Sequence, residues 1–231
     1  MLWHPRLADT ILYPNDRPNG PPRMNTPDLR QERARLAAYA MDLTGRRGGE
    51  VTPEILAAEV GVSRARIEAI FPEESDLFDA VVELWFEPHV AIMEEVLASD
   101  LPPNRKFYEF YVRRFRRNRA EFRRDPSAFA VLCELGARRF ERVRSFVDLA
   151  DHYLCELIAE AQAEGHFPGL EIDRALTLIN QMTVAYTMPD LLQTVDERLT
   201  EDKLAAIVDT LFAGLSATDG GASGVSGLRP A

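Results

Sequence analysis

The stretch EVGVSRARIEAIFPEESDLF, Glu59 to Phe78, sets Gly-Val-Ser between two short helical patterns and closes the second with Phe71-Pro72. Just upstream, Thr52-Pro53 reads as an N-cap followed by a first-turn proline, and Leu56, Ala57 and Val60 give a two-turn helix. Gly61 ends that helix, because glycine enters the left-handed conformation of a helix C-terminus without a Cβ penalty. Ser63 caps the next helix, whose inward face is Ile67, Ile70 and Phe71, and Pro72 stops it. Ala57 is small enough to let the two helices approach. The spacing therefore predicts a helix-turn-helix that presents the first turn of its second helix outward. The same stretch carries five acidic residues and only two arginines, an unusual charge for a surface meant to approach phosphate.

Working outward, Thr26-Pro27 starts a helix with Leu29, Leu36, Tyr39, Ala40 and Leu43 at helical spacing, and GRRGG, Gly45 to Gly49, is expected to end it. A longer pattern runs from Glu73 through Leu77, Val81, Leu84 and Trp85 to Pro88, where a kink or break is expected, and resumes at Val90, Met93 and Leu97. After the DLPPN linker come helical patterns at 105–124, 126–137, 140–164, 172–187, 189–198 and 201–215, with Asp125 and Thr200 as N-caps and Gly165 and Pro168 as a stop. No alternating strand pattern and no fixed-period repeat interrupts them. The expectation is an all-α chain in four parts: a proline-rich disordered leader at 1–25, a three-helix head at 26–86, a larger helical body at 87–215 and a Gly/Ser-rich tail at 216–231. Met24, just before the first helix signal, is a candidate start site.

At 231 residues and a net charge of −10, the chain has material for a large core and repels polyanions as a whole, so any DNA contact must be local. Cys133 and Cys155 are too few for a disulfide framework and read as small core residues in a reducing, cytoplasmic setting. No apolar run is long enough to span a bilayer, so no membrane partner is expected. There is no Walker loop, dinucleotide fingerprint, HExxH or complete GxSxG, so neither an enzyme nor a cofactor is expected. His152 and Cys155 share a helix face but lack a third ligand, so no metal is expected either.

Thr52, Leu56, Ala57, Gly61, Val62, Ser63, Ile67, Phe71, Pro72 and Leu77 fall where the TetR family of bacterial transcriptional regulators places similar residues, and residues 29–83 resemble that family's head. The body resembles the family in architecture only; EGHFPGLEID, 164–173, looks like the connection that precedes its dimerisation helices. The resemblance implies a homodimer that binds a palindromic double-stranded DNA operator and releases it when a small apolar or amphipathic effector enters the body. Carried over by position, DNA contact falls to Thr52, Ser63, Arg64, Ala65, Arg66 and Glu68, with Arg46 and Arg47 nearby. The pattern departs from the family where Glu68 replaces a usual aromatic residue, Ile70 a His or Tyr, and Glu74 a Lys.

Over residues 28–86, seven arginines face twelve acids. One reading gives the head a narrow basic footprint of Arg30, Arg33, Arg46, Arg47, Arg64 and Arg66, with Glu68 accepting from cytosine N4. The other keeps the packing of the head but not its DNA binding.

The segment Arg105 to Arg124 holds nine cations against Glu109 and Glu121, interleaved with Phe107, Tyr108, Tyr111, Phe115 and Phe122. It reads first as an amphipathic helix whose arginines pair with the acidic remainder of the chain. Nucleic-acid stacking and capture of an anionic effector head are the other two readings.

Effector-pocket candidates are Tyr108, Tyr111, Phe115, Phe129, Cys133, His152, Met182 and Tyr186, each weighed against plain core. Leu176, Ile179, Met182 and Val184, with Leu204, Ile207, Val208, Leu211, Phe212 and Leu215, are expected to form an intermolecular helix bundle.

Overall fold

The computed structural model describes residues 26–217. The expected leader, the candidate start at Met24 and the tail beyond residue 217 lie outside the described residues. Ten α-helices follow one another, and no strand occurs among the described residues. They are α1 Thr26–Arg47, α2 Pro53–Val60, α3 Arg64–Ile70, α4 Glu74–Leu97, α5 Pro103–Arg124, α6 Pro126–Arg138, α7 Phe140–Ala163, α8 Ile172–Thr187, α9 Pro189–Val195 and α10 Glu201–Leu215, with a 3-10 turn at Asp196–Arg198.

In the head, local chemistry acts where the sequence places it. The Thr52 hydroxyl accepts from Ile55 N at 3.4 Å, and the Ser63 hydroxyl accepts from Arg66 N at 3.3 Å, so each satisfies an amide at a helix start. Gly61 closes α2 at φ 68° and ψ 29°, and Val62 N donates to Ala57 O at 3.2 Å. Leu36, Ala40, Leu43, Leu56, Ile67, Phe71 and Leu77 are buried together, and a fully buried Leu, Ile or Phe contributes roughly 1.5–3 kcal/mol.

The first helix ends within GRRGG as expected, though not at its first residue: it runs to Arg47, and the turn is made at Gly48, where φ is 68°. Gly45 serves packing instead: a Cβ there would collide with the Cβ of Ala128, so the glycine lets α1 lie directly on α6. Nor does the chain break at Pro88. α4 continues through it, because Trp85 and Val90 pack on the body core and Met93 and Val96 are buried in it, and tertiary packing outweighs the hydrogen bond that proline removes. α4 is thereby one continuous helix, with Leu77 and Val81 in the head core and Met93 and Val96 in the body core.

The body is organised around α5, which packs on α4 and on every helix from α6 to α10. Phe107, Phe110, Tyr111, Phe115 and Phe122 lie in or against its core. Seven of its nine cations pair outward as the amphipathic reading expects: Arg105 with Glu109, Lys106 with Glu160, Arg113 with Glu95 and Glu109, Arg116 with Glu201, Arg119 and Arg123 with Asp196, and Arg124 with Glu121.

The last helices depart from expectation. Ile179, Leu204, Val208, Leu211 and Phe212, expected at an intermolecular bundle, are buried in this chain's own core, because α8 and α10 pack on each other and on α5. Met182 and Val184 remain exposed. Ser216, expected to begin the tail, is tied to the body by accepting from Phe167 N at 3.2 Å.

Candidate functional site

Two places bear on function: the outward tip of the helix-turn-helix and a cavity in the body. At the tip, Ser63, Arg64, Ala65 and Glu68 are exposed. Arg64 points outward, with 69% of its side chain accessible, yet its guanidinium lies between two carboxylates, 3.2 Å from Glu54 and 2.6 Å from Glu68. These two acids raise its pKa, Glu68 most. Arg66 turns back onto α1 and pairs with Glu32, leaving its side chain 30% accessible. Arg47 pairs with Glu59 at 3.4 Å, and Arg46 pairs with Asp42 at 2.9 Å while lying over the Tyr39 ring at 5.7 Å. Thr52 is engaged as the cap of α2. Arg33, placed by the sequence reading in a basic footprint, instead joins α1 to α4: it pairs with Glu83 at 3.1 Å, donates to Asp76 O at 3.3 Å and covers the Phe71 ring at 5.5 Å. Glu68 and Arg64 form an exposed pair one turn apart, and Glu54 and Glu68 flank the tip that was expected to meet phosphate.

The cavity, of about 490 Å³, lies against α4, α5 and α7 with contributions from α1, α6, α8 and α9. Phe78, Val82, Trp85, Phe86 and His89 line it from α4, and Phe110, Tyr111, Arg114 and Asn118 from α5. Its apolar walls and few polar groups are what a small-molecule site requires. Phe140, Val147, Val184 and Met188, all lining residues, are also exposed, so the cavity opens to the surface beside them.

Of the eight pocket candidates, only Tyr111 and Cys133 line this cavity. Phe115 and Phe129 are core, Phe115 edge-on to Tyr186 and Phe129 tilted against Trp85 and edge-on to Phe122, and the Tyr186 hydroxyl donates to Thr200 O at 3.0 Å. Tyr108 lies under Arg105 on the outer side of α5, and His152 and Met182 are exposed. Helical spacing shows which residues share a face, but not which part of that face meets a void.

The polar end of the cavity was missed. Tyr111, Arg114 and Asn118 follow at helical spacing inside the stripe that runs from Phe107 to Phe122, and a cation and an amide interrupting an apolar stripe were a legible signal. Among the described residues no carboxylate lies within ion-pair distance of Arg114, and its Nε makes no hydrogen bond. The Arg114 guanidinium lies over the Phe110 ring at 5.0 Å. Asn118 Oδ1 is buried without a hydrogen bond. So is the Tyr111 hydroxyl, whose neighbour Thr183 already donates to Ile179 O at 2.8 Å.

Burial raises the Tyr111 phenol above its usual range and lowers the pKa of Arg114, which remains a cation nonetheless. Burial and the positive charges of Arg114 and Arg117 depress His89 to about 3, so its imidazole is neutral at physiological pH. Burial, with Asp190 alongside, pushes Cys133 up to about 12, which makes it an inert thiol. Among the described residues no group of three or more His, Cys, Asp or Glu is placed to hold a metal, and no helix is long and apolar enough to cross a membrane.

Residues 103–208 match the family model described as the Tetracyclin repressor-like C-terminal domain. No curated protein matches the chain by sequence. Among solved structures, the chain resembles the TetR family transcriptional regulator PfmR from Thermus thermophilus, at 16% identity and a TM-score of 0.50 over 79% of this chain and 100% of that one. It also resembles a protein from Mesorhizobium loti assigned to the TetR family, at 15% identity and a TM-score of 0.55 over 84% of this chain and 97% of that one. A helix-turn-helix head joined through α4 to a Tetracyclin repressor-like C-terminal domain gives this chain the fold of the TetR family of transcriptional regulators.

Proposed function

We propose that the protein is an effector-responsive transcriptional regulator, a homodimer that holds a palindromic operator and leaves it when a small molecule occupies the body cavity. The observation that carries this reading is the double duty of α4. Trp85, Phe86 and His89 line the cavity, while Leu77 and Val81, about one to three turns earlier on the same helix, are also packed in the head core. A ligand that prefers one position of α4 therefore biases the head, and only that difference in affinity can shift the equilibrium. Arg139 with Glu50 at 2.6 Å and Arg142 with Asp79 at 3.0 Å add further ties between the body and the head end of the chain.

With the apolar faces of α8 and α10 largely internal, the dimer falls to their outward faces, where Thr177, Gln181, Met182, Ala206, Thr210 and Ala213 are exposed. Small side chains there permit close helix approach. At the tip, Arg64 is the residue placed to exchange its carboxylates for phosphate or a guanine edge, since exposed ion pairs are weakly held.

A second reading, a sensor of this fold that does not bind DNA, is favoured by one observation: Arg46, Arg47, Arg64 and Arg66 each have an acidic partner within the chain. Selection of duplexes from fragmented genomic DNA by the purified protein, followed by footprinting at low and moderate salt, separates the two. A two-fold footprint supports the regulator, and failure to enrich any duplex at either salt supports the sensor. Sedimentation of the protein as a monomer would reject the dimer.

A further inference from the structure

We propose that the effector is an amphipathic anion, an apolar chain or ring carrying one carboxylate, whose head is received by Arg114 at the polar end of the cavity. The inference rests on the reading of that cavity as the effector site and deepens it.

Arg114 is the decisive residue. Seven of the other eight cations on α5 are ion-paired with carboxylates, while Arg114 turns into a largely apolar chamber, with a Phe ring against one face and no ion pair among the described residues, Asp151 acting on it only through space. Leaving a guanidinium in such a place is costly unless an anion joins it, and a carboxylate matches its planar donors. The Tyr111 hydroxyl and Arg114 Nε, one turn apart on α5 and both without hydrogen bonds, are two donors at the same end. Asn118, 8% exposed, lies one further turn along; its unsatisfied Oδ1 is an acceptor, and its amide NH2 is the group able to donate to an anion. His89 faces this cluster from α4 as a neutral ring, so Arg114 is the cation that lines the cavity.

Among the described residues no acid of the wall is within ion-pair distance of Arg114, although Asp151 acts on it through space. Glu50 pairs with Arg139, Asp151 accepts from Asn180 Nδ2 at 2.9 Å, and Asp190 lies beside Cys133. The remaining wall is apolar, with Val82, Trp85, Phe86 and Phe146 to take a hydrocarbon body. A fully apolar ligand would leave the Arg114 and Tyr111 donors buried and unmet, whereas a cationic one would be repelled.

Calorimetric titration of the full-length protein with sodium decanoate and with decanol, which share an apolar chain and differ at the head, tests the proposal. Decanoate is expected to bind at least tenfold more tightly than decanol. Arg114→Met, which keeps length but removes charge, should weaken decanoate at least tenfold and leave decanol unchanged, and Arg114→Lys should restore part of the preference. Equal binding of the two probes, or an unchanged decanoate affinity in Arg114→Met, overturns the anion while leaving an effector cavity in place. Binding of neither probe overturns the effector reading together with the anion. Thermal melts of each variant verify that the compared proteins are folded.

Discussion

Arg64, on the seven-residue α3, and Arg114, on the 22-residue α5, have opposite surroundings. Arg64 sits in water between Glu54 and Glu68, with more acid around it than its charge needs. Arg114 lies in a chamber of aromatic side chains without an ion-pair partner among the described residues. Counting charges along the chain makes the head acidic and α5 basic, and on that count alone DNA binding would be assigned to α5. In the folded chain five of the nine cations of the basic helix are paired with neighbours from α4, α7, α10 and the 3-10 turn, and Arg105 and Arg124 with acids of α5 itself. The difference teaches that a site is marked by a charge whose partner is missing, and not by an excess of charge.

The seam that joins these two regions gives the largest expected effect. Gly45→Val would drive side-chain atoms into Ala128 where α1 lies on α6, and overpacking of this kind costs about 3 kcal/mol. Denaturant midpoints should show that loss, and an unchanged midpoint would mean that α1 and α6 have room to separate.

The burial of His89 in the cavity wall, as against the exposed tip, predicts a pH dependence. His89 is held at about 3 in the folded protein against an ordinary value of 6.5, so the unfolded chain takes up its proton first as pH falls. Its contribution is neutral above the ordinary value, and stability is lost progressively between pH 6.5 and 3. The portion between pH 7 and 5 is about 2 kcal/mol. Urea midpoints across that range should fall in the wild type and flatten in His89→Gln. An equally steep slope in the variant would place the acid sensitivity in other groups.

The smallest expected change concerns the tip. Glu54→Gln with Glu68→Gln releases Arg64 from both carboxylates, and affinity for a nonspecific duplex at low salt should rise by about tenfold, with the salt slope steeper by about one. Fluorescence anisotropy at several salt concentrations measures both. No gain would place the tip away from the duplex altogether, in line with a sensor that lacks an operator.

The legible parts of the fold were those decided over a few neighbouring residues. Thr52, Ser63, Asp125 and Thr200 cap the helices they were expected to cap, and Gly61 adopts the left-handed conformation, because each acts on amides or carbonyls within the next turn. Ile67, Ile70 and Phe71 are buried as the spacing predicts. The chain does not break at Pro88 because its local cost is overruled by packing contributed from the body core, and the packing role of Gly45 was not legible because its neighbour Ala128 is remote in sequence. The candidate site was legible only in outline. Tyr111 and Cys133 were found among core residues of the same chemistry, while the interruption of the α5 stripe by Arg114 and Asn118 went unused.

By itself, the sequence determined the all-helical class, the helix-turn-helix head and the TetR resemblance, since hydrophobic period, caps and glycine conformations are properties of contiguous residues. Only the tertiary structure decided where each arginine is placed: Arg66 finds Glu32 on α1, Arg119 and Arg123 find Asp196, and Arg114 lines a cavity. Electrostatic energy depends on distance and burial through space, and neither can be read from position along the chain.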